Sequence, residues 1–383
     1  MIVSRLILKN WRNFRTANVA LGERAFLIGP NASGKSNFLD AIRFLRDIAK
    51  AGGGLQQAIS QRGGLSKIRC LAARKEPDVE IDVELAEPGG VALWRYAIGV
   101  TQQVRGYRQP ILRFERVWNR NGLILERPDD QDRADDERLT QTHLEQISAN
   151  VDFRDVARFF ESVRYLHLVP QLLRHPDAFQ GPGVPEDPYG RNFLEMVART
   201  SEKTKKSRLR RIERALREAV PNLEALKDTK DEAGVPHLEA IYKHWRPNAG
   251  LQREDQFSDG TLRLIGLFWS LLDGDAPLLL EEPELSLNAE IVRRLPALIY
   301  RLQRKRKRQI LISTHSWDLL SDRGIGGEET VMLRPGPEGT EVYLASDRPD
   351  IRDSLAAGLS VAEVALPRTA PPDLHQLSLF DPV

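Results

Sequence analysis

A single cysteine, Cys70, in 383 residues leaves no internal disulfide and no cysteine-built metal site. Long apolar runs are missing too, so no stretch reads as a membrane span. The first residues, Ile2-Val3-Ser4-Arg5-Leu6-Ile7-Leu8, are strand-like rather than a signal peptide. These absences point to a cytoplasmic protein with no membrane partner. An excess of one charge is also lacking: Lys and Arg outnumber Asp and Glu by 56 to 54. Any affinity for nucleic acid must therefore come from local patches. The length suffices for two or three packed units.

What stands out is Gly29-Pro30-Asn31-Ala32-Ser33-Gly34-Lys35-Ser36, which reads G-x-x-x-x-G-K-S. Ala25-Phe26-Leu27-Ile28 before it predicts a buried strand. Phe38, Leu39, Ile42, Leu45 and Ala49 after it recur at helical spacing. Strand, tight loop and helix make a phosphate cradle: glycines curl the backbone inward, and the helix N-terminus adds partial positive charge. Lys35 is expected to reach the β- and γ-phosphates of ATP, Ser36 to ligate Mg²⁺, and the binding segment to extend to Asn37.

Residues 1–128 predict a mixed α/β lobe, with strands at 2–9, 17–21 and before the loop. From 78 to 126 the pattern turns to period two, led by Val79-Glu80-Ile81-Asp82-Val83-Glu84-Leu85, and predicts an antiparallel sheet. The acidic run 129–137 marks a linker or helix start. Residues 139–164 predict helix, 165–169 a strand, and 175–190, rich in proline and glycine, a loop. A long helix is expected over 191–220. It carries an apolar stripe (Leu209, Ile212, Leu216, Val220) and a basic one: Lys203, Lys206, Arg210, Arg214 and Arg217. That basic stripe is either a solvated face or a grip for a DNA backbone. A second basic cluster, 304–308, suits the C-terminus of a helix over 289–306, which Pro296 should kink.

On either side of that helix lies a second set of features. Phe257-Ser258-Asp259-Gly260-Thr261 precedes an apolar helix, and a helix cap alone would explain Ser258 or Asp259. Pro277-Leu278-Leu279-Leu280 is an apolar strand ending in Glu281-Glu282. Gln309 to Thr314 is another, ending in His315. Ser36 and Glu281 supply the hard oxygens Mg²⁺ prefers. Glu282 is then left to activate water, and His315 can hydrogen-bond a γ-phosphate.

In this order the motifs resemble the ABC-type ATPase head of the SMC/RecF/OLD group, over roughly 1–128 and 250–345. The resemblance implies an α/β, two-lobed head: a P-loop core with a flanking antiparallel sheet, and a mainly helical insertion at 129–249. Lobe boundaries fall at 1–128 and 250–366, with a tail at 367–383. It makes 29–36 Walker A, and 257–261, with Ser258, Asp259 and Gly260, a signature loop completing the site of a second protomer. Residues 278–282 become Walker B, with Glu281 where relatives carry aspartate and Glu282 the catalytic glutamate. Leu285-Ser286-Leu287-Asn288 becomes the D-loop, with Asn288 where many relatives have aspartate, and His315 the switch histidine. The Q-loop glutamine is one of Gln102, Gln103, Gln109 and Gln171.

The expected function is an ATP-hydrolysing dimerisation switch in DNA repair or anti-phage defence. Relatives of the OLD type fuse a TOPRIM nuclease after the head, and the chain ends too soon after His315 for one. A separately encoded effector, a nuclease among the options, is expected instead. An ATP-binding adaptor holding a toxin is the alternative, and a transporter ATPase fits less well. The tail's prolines disfavour helix, leaving Gln376-Leu377-Ser378-Leu379-Phe380 on an extended tether. Leu379 and Phe380 either pack on a lobe or on the effector, or dock with Gln376 and Leu377 on a DNA-polymerase sliding clamp, whose docking peptides this run resembles.

Overall fold

The computed structural model describes residues 1–74, 76–103, 108–175, 187–246 and 250–370. The described chain divides into two compact units. One holds residues 1–164, 276–279 and 307–383; the other holds 165–275 and 280–306. The tail residues Gln376, Leu377, Leu379 and Phe380 lie outside the described residues.

The first unit contains two sheets. One is antiparallel, in the order Phe14–Ala20, Ile2–Trp11, Val79–Ala86, Ala92–Gln102, Pro110–Asn119, Gly122–Arg127. Its period-two segment alternates buried and half-buried as the sequence predicts: Val79, Ile81, Val83 and Leu85 face inward. The other sheet carries the phosphate loop. Within this unit it runs Gly339–Leu344, Thr330–Gly336, Arg24–Ile28, Ile310–Ser313. Leu278 follows, donating to the Gln309 carbonyl at 2.9 Å. The strands Arg24–Ile28, Ile310–Ser313 and Thr330–Gly336 are parallel to one another. All five residues of Arg24–Ile28 are buried, as in a covered parallel sheet.

Helix Lys35–Ala49 packs through Phe38, Leu39, Ile42, Leu45 and Ile48, each essentially without exposure. Trp11 fixes the antiparallel sheet to that helix: its indole N–H donates to the Asn37 carbonyl at 2.8 Å, and its ring lies 5.2 Å from Phe44. The buried Gln309 amide ties the strands together, accepting from Val3 N and donating to Val3 O and Gly22 O. Between 129 and 153 only short helical turns form, so the regular helix expected over 139–164 is confined to Arg154–Ser162.

The second unit departs further from its sequence pattern. The helix expected over 191–220 is two, Phe193–Arg199 and Glu202–Ala219, broken at Thr200 with Ser201 opening the second. A three-stranded antiparallel sheet follows, in the order Leu251–Arg253, Pro236–Tyr242, Leu223–Lys230. Leu226, Leu238 and Ala240 are buried in it, and Leu209, Ile212 and Leu216 are buried on helix Glu202–Ala219. Helix Asp259–Leu272 is buried along most of its length, which its nearly all-apolar sequence demands. Helix Ala289–Arg306 runs through Pro296 without ending there.

Candidate nucleotide site

Gly29 follows the buried strand directly and cannot be larger. A Cβ there would meet Ser33 Oγ at 2.5 Å and the Leu333 carbonyl at 2.6 Å. Gly34 takes φ +99°, and a Cβ on it would strike the Asn13 amide at 2.2 Å. That amide braces the loop. Asn13 Nδ2 donates to the Ser33 carbonyl at 2.7 Å, Thr340 Oγ1 donates to the same carbonyl at 2.9 Å, and Asn37 Nδ2 donates to Asn13 Oδ1 at 2.9 Å. Lys35, 8% exposed, turns its ammonium onto the Gly29 and Pro30 carbonyls at 2.9 and 3.2 Å. Ser36 is exposed at the first turn of the helix. Ser33 Oγ is buried with no hydrogen-bond partner among the described residues. A curled glycine loop, an orphaned hydroxyl, a lysine and a helix N-terminus together fit phosphate oxygens.

The strand register brings His315 to this loop. Ser313 pairs with Leu27, and Thr314 N donates to Leu27 O at 3.1 Å, so His315 emerges level with Gly29. Both stand at the carboxyl edge of parallel strands, where open α/β sheets bind ligands. Beside the loop lies a cavity of about 800 Å³, bordered by Arg12, Asn13, Ala32, Asn37, Lys67 and Thr340. That volume lies in the range of small-molecule sites. Arg12 has φ +54° and leans on Asp40 at 3.2 Å. Asp40 is shared with Arg62, which also holds Asp47.

The other predicted residues form a second cluster, within the second unit. Ser258 caps helix Asp259–Leu272, accepting from Thr261 N at 3.2 Å. Asp259 is gripped by Arg174 at 2.6 Å and by Gln171 at 2.8 Å. Gln171 thus touches the segment 257–261, whereas Gln102 donates to the Arg108 carbonyl. A Cβ on Gly260 would meet the Ser286 carbonyl at 2.9 Å, so the segments 257–261 and 285–288 abut. Glu281 is half-buried and accepts from the Tyr165 hydroxyl. Glu282 sits at φ +43°, a left-handed backbone that costs free energy in a non-glycine residue. Asn288 is exposed, its side chain accepting from Glu290 N.

Arg263, one turn into helix Asp259–Leu272, is 5% exposed, and its Nε and Nη1 find no hydrogen-bond partner among the described residues. Burial lowers its pKa, against the opposing pull of Glu284, Asp259 and Glu282. Asn13, Tyr165, Arg174 and Arg263 are site residues that the sequence reading missed. Tyr165 opens the strand expected over 165–169, but nothing in that run marks it as a site residue.

Lys203, Lys206, Arg210, Arg214 and Arg217 are exposed on helix Glu202–Ala219. The 304–308 cluster is partly internal: Arg308 is 1% exposed and donates to the Ala276 carbonyl.

Residues 24–322, from the strand feeding the loop to just beyond His315, match the family described as "AAA domain, putative AbiEii toxin, Type IV TA system". The chain belongs to this AAA_21 family. The AAA_21 match makes it a P-loop ATPase by family, and ATP the nucleotide its loop is built for. The fold is that of an SMC head. A solved SMC head bound to the C-winged helix domain of ScpA is 15% identical, covers 90% of this chain and 98% of its own, with TM-score 0.52. The SMC head domain from Thermotoga maritima is 16% identical over 90% and 99%, with TM-score 0.46. An Smc head with an extended coiled coil, bound to the C-terminal domain of ScpA derived from Pyrococcus furiosus, is 14% identical over 89% and 95%, with TM-score 0.48. No curated protein matches the chain. The resemblance drawn from residues 29–36, 257–261, 278–282 and 315 therefore holds for family and fold. Among the described residues no helix is long and apolar enough to cross a membrane.

Proposed function

We propose that this AAA_21 ATPase is an ATP-driven dimerisation switch that hydrolyses ATP and passes its state to a separately encoded effector. The observation that carries this reading is the register that sets His315 level with Gly29 beside the phosphate loop. A histidine there can hydrogen-bond the terminal phosphate and report its loss. Lys35 and the loop N–H groups hold the phosphate chain. Glu282 takes a proton from the attacking water as its oxygen bonds to the γ-phosphorus. The bond from that phosphorus to the β–γ bridging oxygen breaks, ADP leaves with the bond's electron pair, and the proton passes from Glu282 to the product phosphate or to solvent. Ser36 and Glu281 are the residues that would hold Mg²⁺, and the ion would supply charge neutralisation on the phosphates. Ser258, Asp259 and Gly260 of one protomer close over the ATP of its partner, so two heads stay together until hydrolysis. One of the similar SMC heads carries a domain of a second protein, which favours an effector docked on the head. DNA repair or defence in the cytoplasm is the setting we assign.

The family description favours a second reading, in which the protein binds ATP with little turnover and holds a toxin. The two separate in one experiment. Glu282→Gln should bind ATP, hydrolyse it about 10²-fold more slowly or worse, and accumulate as a dimer by mass photometry with ATP and Mg²⁺. Ser258→Arg should block that dimer. A monomer under every condition overturns the switch. Wild-type turnover no faster than that of Glu282→Gln in a single-turnover assay favours the adaptor.

A further inference from the structure

Helix Glu202–Ala219 carries eight cations against three carboxylates. Three of the cations are used internally. Lys205 is buried between Glu202 and Asp228, Arg208 pairs with Asp273 over the Trp269 ring, and Arg217 pairs with Glu213. Lys203, Lys206, Arg210, Arg211 and Arg214 remain, exposed and without an ion pair among the described residues. At about 100° per residue, Lys203, Lys206, Arg210 and Arg214 fall within an arc of about 80°. Their steps along the axis are about 4.5, 6 and 6 Å. The buried Lys205, Leu209, Ile212 and Leu216 lie on the opposite side. Such a ladder of single charges matches a polyanion with regularly spaced phosphates.

A second feature lies at the C-terminal end of the same helix. The chain turns at Asn222 into strand Leu223–Lys230, and the neighbouring strand returns to that end: Tyr242 pairs with Leu223, and Lys243 N donates to Asn222 O at 2.7 Å. Two residues on is Trp245, 79% exposed. The His244 ring lies 5.7 Å from it, nearly parallel, and the Arg246 guanidinium sits 4.5 Å from its centroid. Lys243, His244 and Arg246 are exposed with it. An exposed indole beside the cations Lys243 and Arg246 has the composition of a platform on which single-stranded bases stack.

We propose that the Lys203–Arg214 ladder and Trp245 together bind single-stranded nucleic acid, the ladder holding phosphates and the indole stacking on an unpaired base. This narrows the DNA of the proposed function to unpaired strands, and it does not depend on ATP turnover. A duplex offers phosphates to the ladder but hides its base faces from Trp245. A strand with free bases engages both.

The test is fluorescence anisotropy of the full-length protein without nucleotide, against a labelled 20-nucleotide oligo(dT), a 20-nucleotide RNA and a 20-base-pair duplex over a salt series. Single strands should bind about tenfold or more tightly than duplex, since the indole adds a stacking interaction. Four phosphate contacts on a single strand give a log–log salt slope near about −3. Lys206→Glu/Arg210→Glu/Arg214→Glu should abolish binding. Trp245→Ala should weaken it about tenfold with the slope unchanged, and Trp245→Phe should restore most of it. Each variant should melt like wild type and keep its ATPase activity. Absence of binding, equal affinity of wild type and the triple variant, or a duplex bound as tightly as single strands would each overturn the proposal. Loss of the dimerisation switch in the Glu282 and Ser258 tests would leave it standing.

Discussion

Arg174 holds the segment 257–261 at two points: its Nη2 donates to the Asp259 carboxylate at 2.6 Å and to the Phe257 carbonyl at 2.7 Å. Gln171, one helical turn away, takes the other Asp259 oxygen at 2.8 Å. If Ser258 and Gly260 close on a partner's nucleotide, Arg174 sets the shape they present. Arg174→Ala should leave ATP binding by the monomer unchanged. It should weaken the ATP-dependent dimer about tenfold or more, the usual scale of a lost charge-assisted hydrogen bond. Sedimentation velocity with ATP and Mg²⁺ reads this directly. An unaltered dimer would remove Arg174 from the assembly.

Arg263 leads to a different expectation. Arginine stays charged even when buried, and this one has buried N–H groups without partners beside three carboxylates. Its charge acts on Glu282 through the protein interior. In a partly buried site an attraction between unit charges is worth on the order of one to a few kcal/mol. Arg263→Met should therefore fold and bind ATP with unchanged KM, while kcat falls about tenfold. Arg263→Lys should recover much of the loss. Unchanged kcat in Arg263→Met would show that the charge plays no part in turnover.

The two residues mark where sequence reading stops. The phosphate loop was legible because its requirements are local: strand, glycines, Lys-Ser and helix occupy contiguous residues. The positions of His315 and Glu282 just past strand ends were legible because an apolar run precedes each. Arg174 was not, since nothing between residues 170 and 175 signals that Asp259 is its partner. Gln171 stood undistinguished among four glutamines until the fold set it against Asp259. The sheet over 223–253 was hidden for another reason. Leu-Glu-Ala-Leu-Lys-Asp-Thr-Lys lacks strict alternation and is rich in helix formers, and burial of Leu223 and Leu226 decides its state.

The buried cluster around Arg127 makes the first unit's stability depend on acid. Arg127 donates to Asp132 at 2.8 and 2.9 Å and to Glu115 at 3.1 Å, all three at most 1% exposed. Burial pushes the Asp132 carboxyl up, but hydrogen bonds from Arg127 and the Asp129 backbone, with the Arg127 charge and Arg138, hold it well below the usual carboxylate range. Its contribution is present above the unfolded value of about 3.9 and is lost as pH falls below it. Glu115 runs the other way. Burial raises it despite its backbone N–H donors and Arg127, so its contribution is fully present below its unfolded pKa and is lost as pH rises. Asp132→Asn should therefore destabilise the protein at pH 7 and flatten the fall in stability below about pH 4. Arg127→Met, which strands two carboxylates, should cost about 3–5 kcal/mol at neutral pH. Urea unfolding across pH tests both, and an acid limb unchanged in Asp132→Asn would show that other groups control it.

The final prediction concerns Gln376-Leu377-Ser378-Leu379-Phe380, which follows Pro367, Pro371 and Pro372. Pro367 itself lies in the helical turn Leu366–Thr369, so the extended run expected from residue 367 does not begin there. The five residues resemble the peptide by which proteins dock on the bacterial DNA-polymerase sliding clamp. In that mode the aliphatic and aromatic side chains fill a preformed apolar pocket, and the glutamine fixes the register. Burying Leu379 and Phe380 would supply roughly 3–6 kcal/mol, a large part of the about −8 kcal/mol of a micromolar complex. That strength recruits a protein without holding it, which suits a switch that must move on. The competing arrangement puts Leu379 and Phe380 on a lobe of this chain or on the effector, and it needs no clamp. Fluorescence anisotropy of a labelled 367–383 peptide against purified clamp distinguishes them, with Leu379→Ala/Phe380→Ala as control. Saturable micromolar binding lost in the control is the expected result. No saturable binding by the intact peptide up to about a hundred micromolar, near −5.5 kcal/mol, would assign the run to the lobe or the effector.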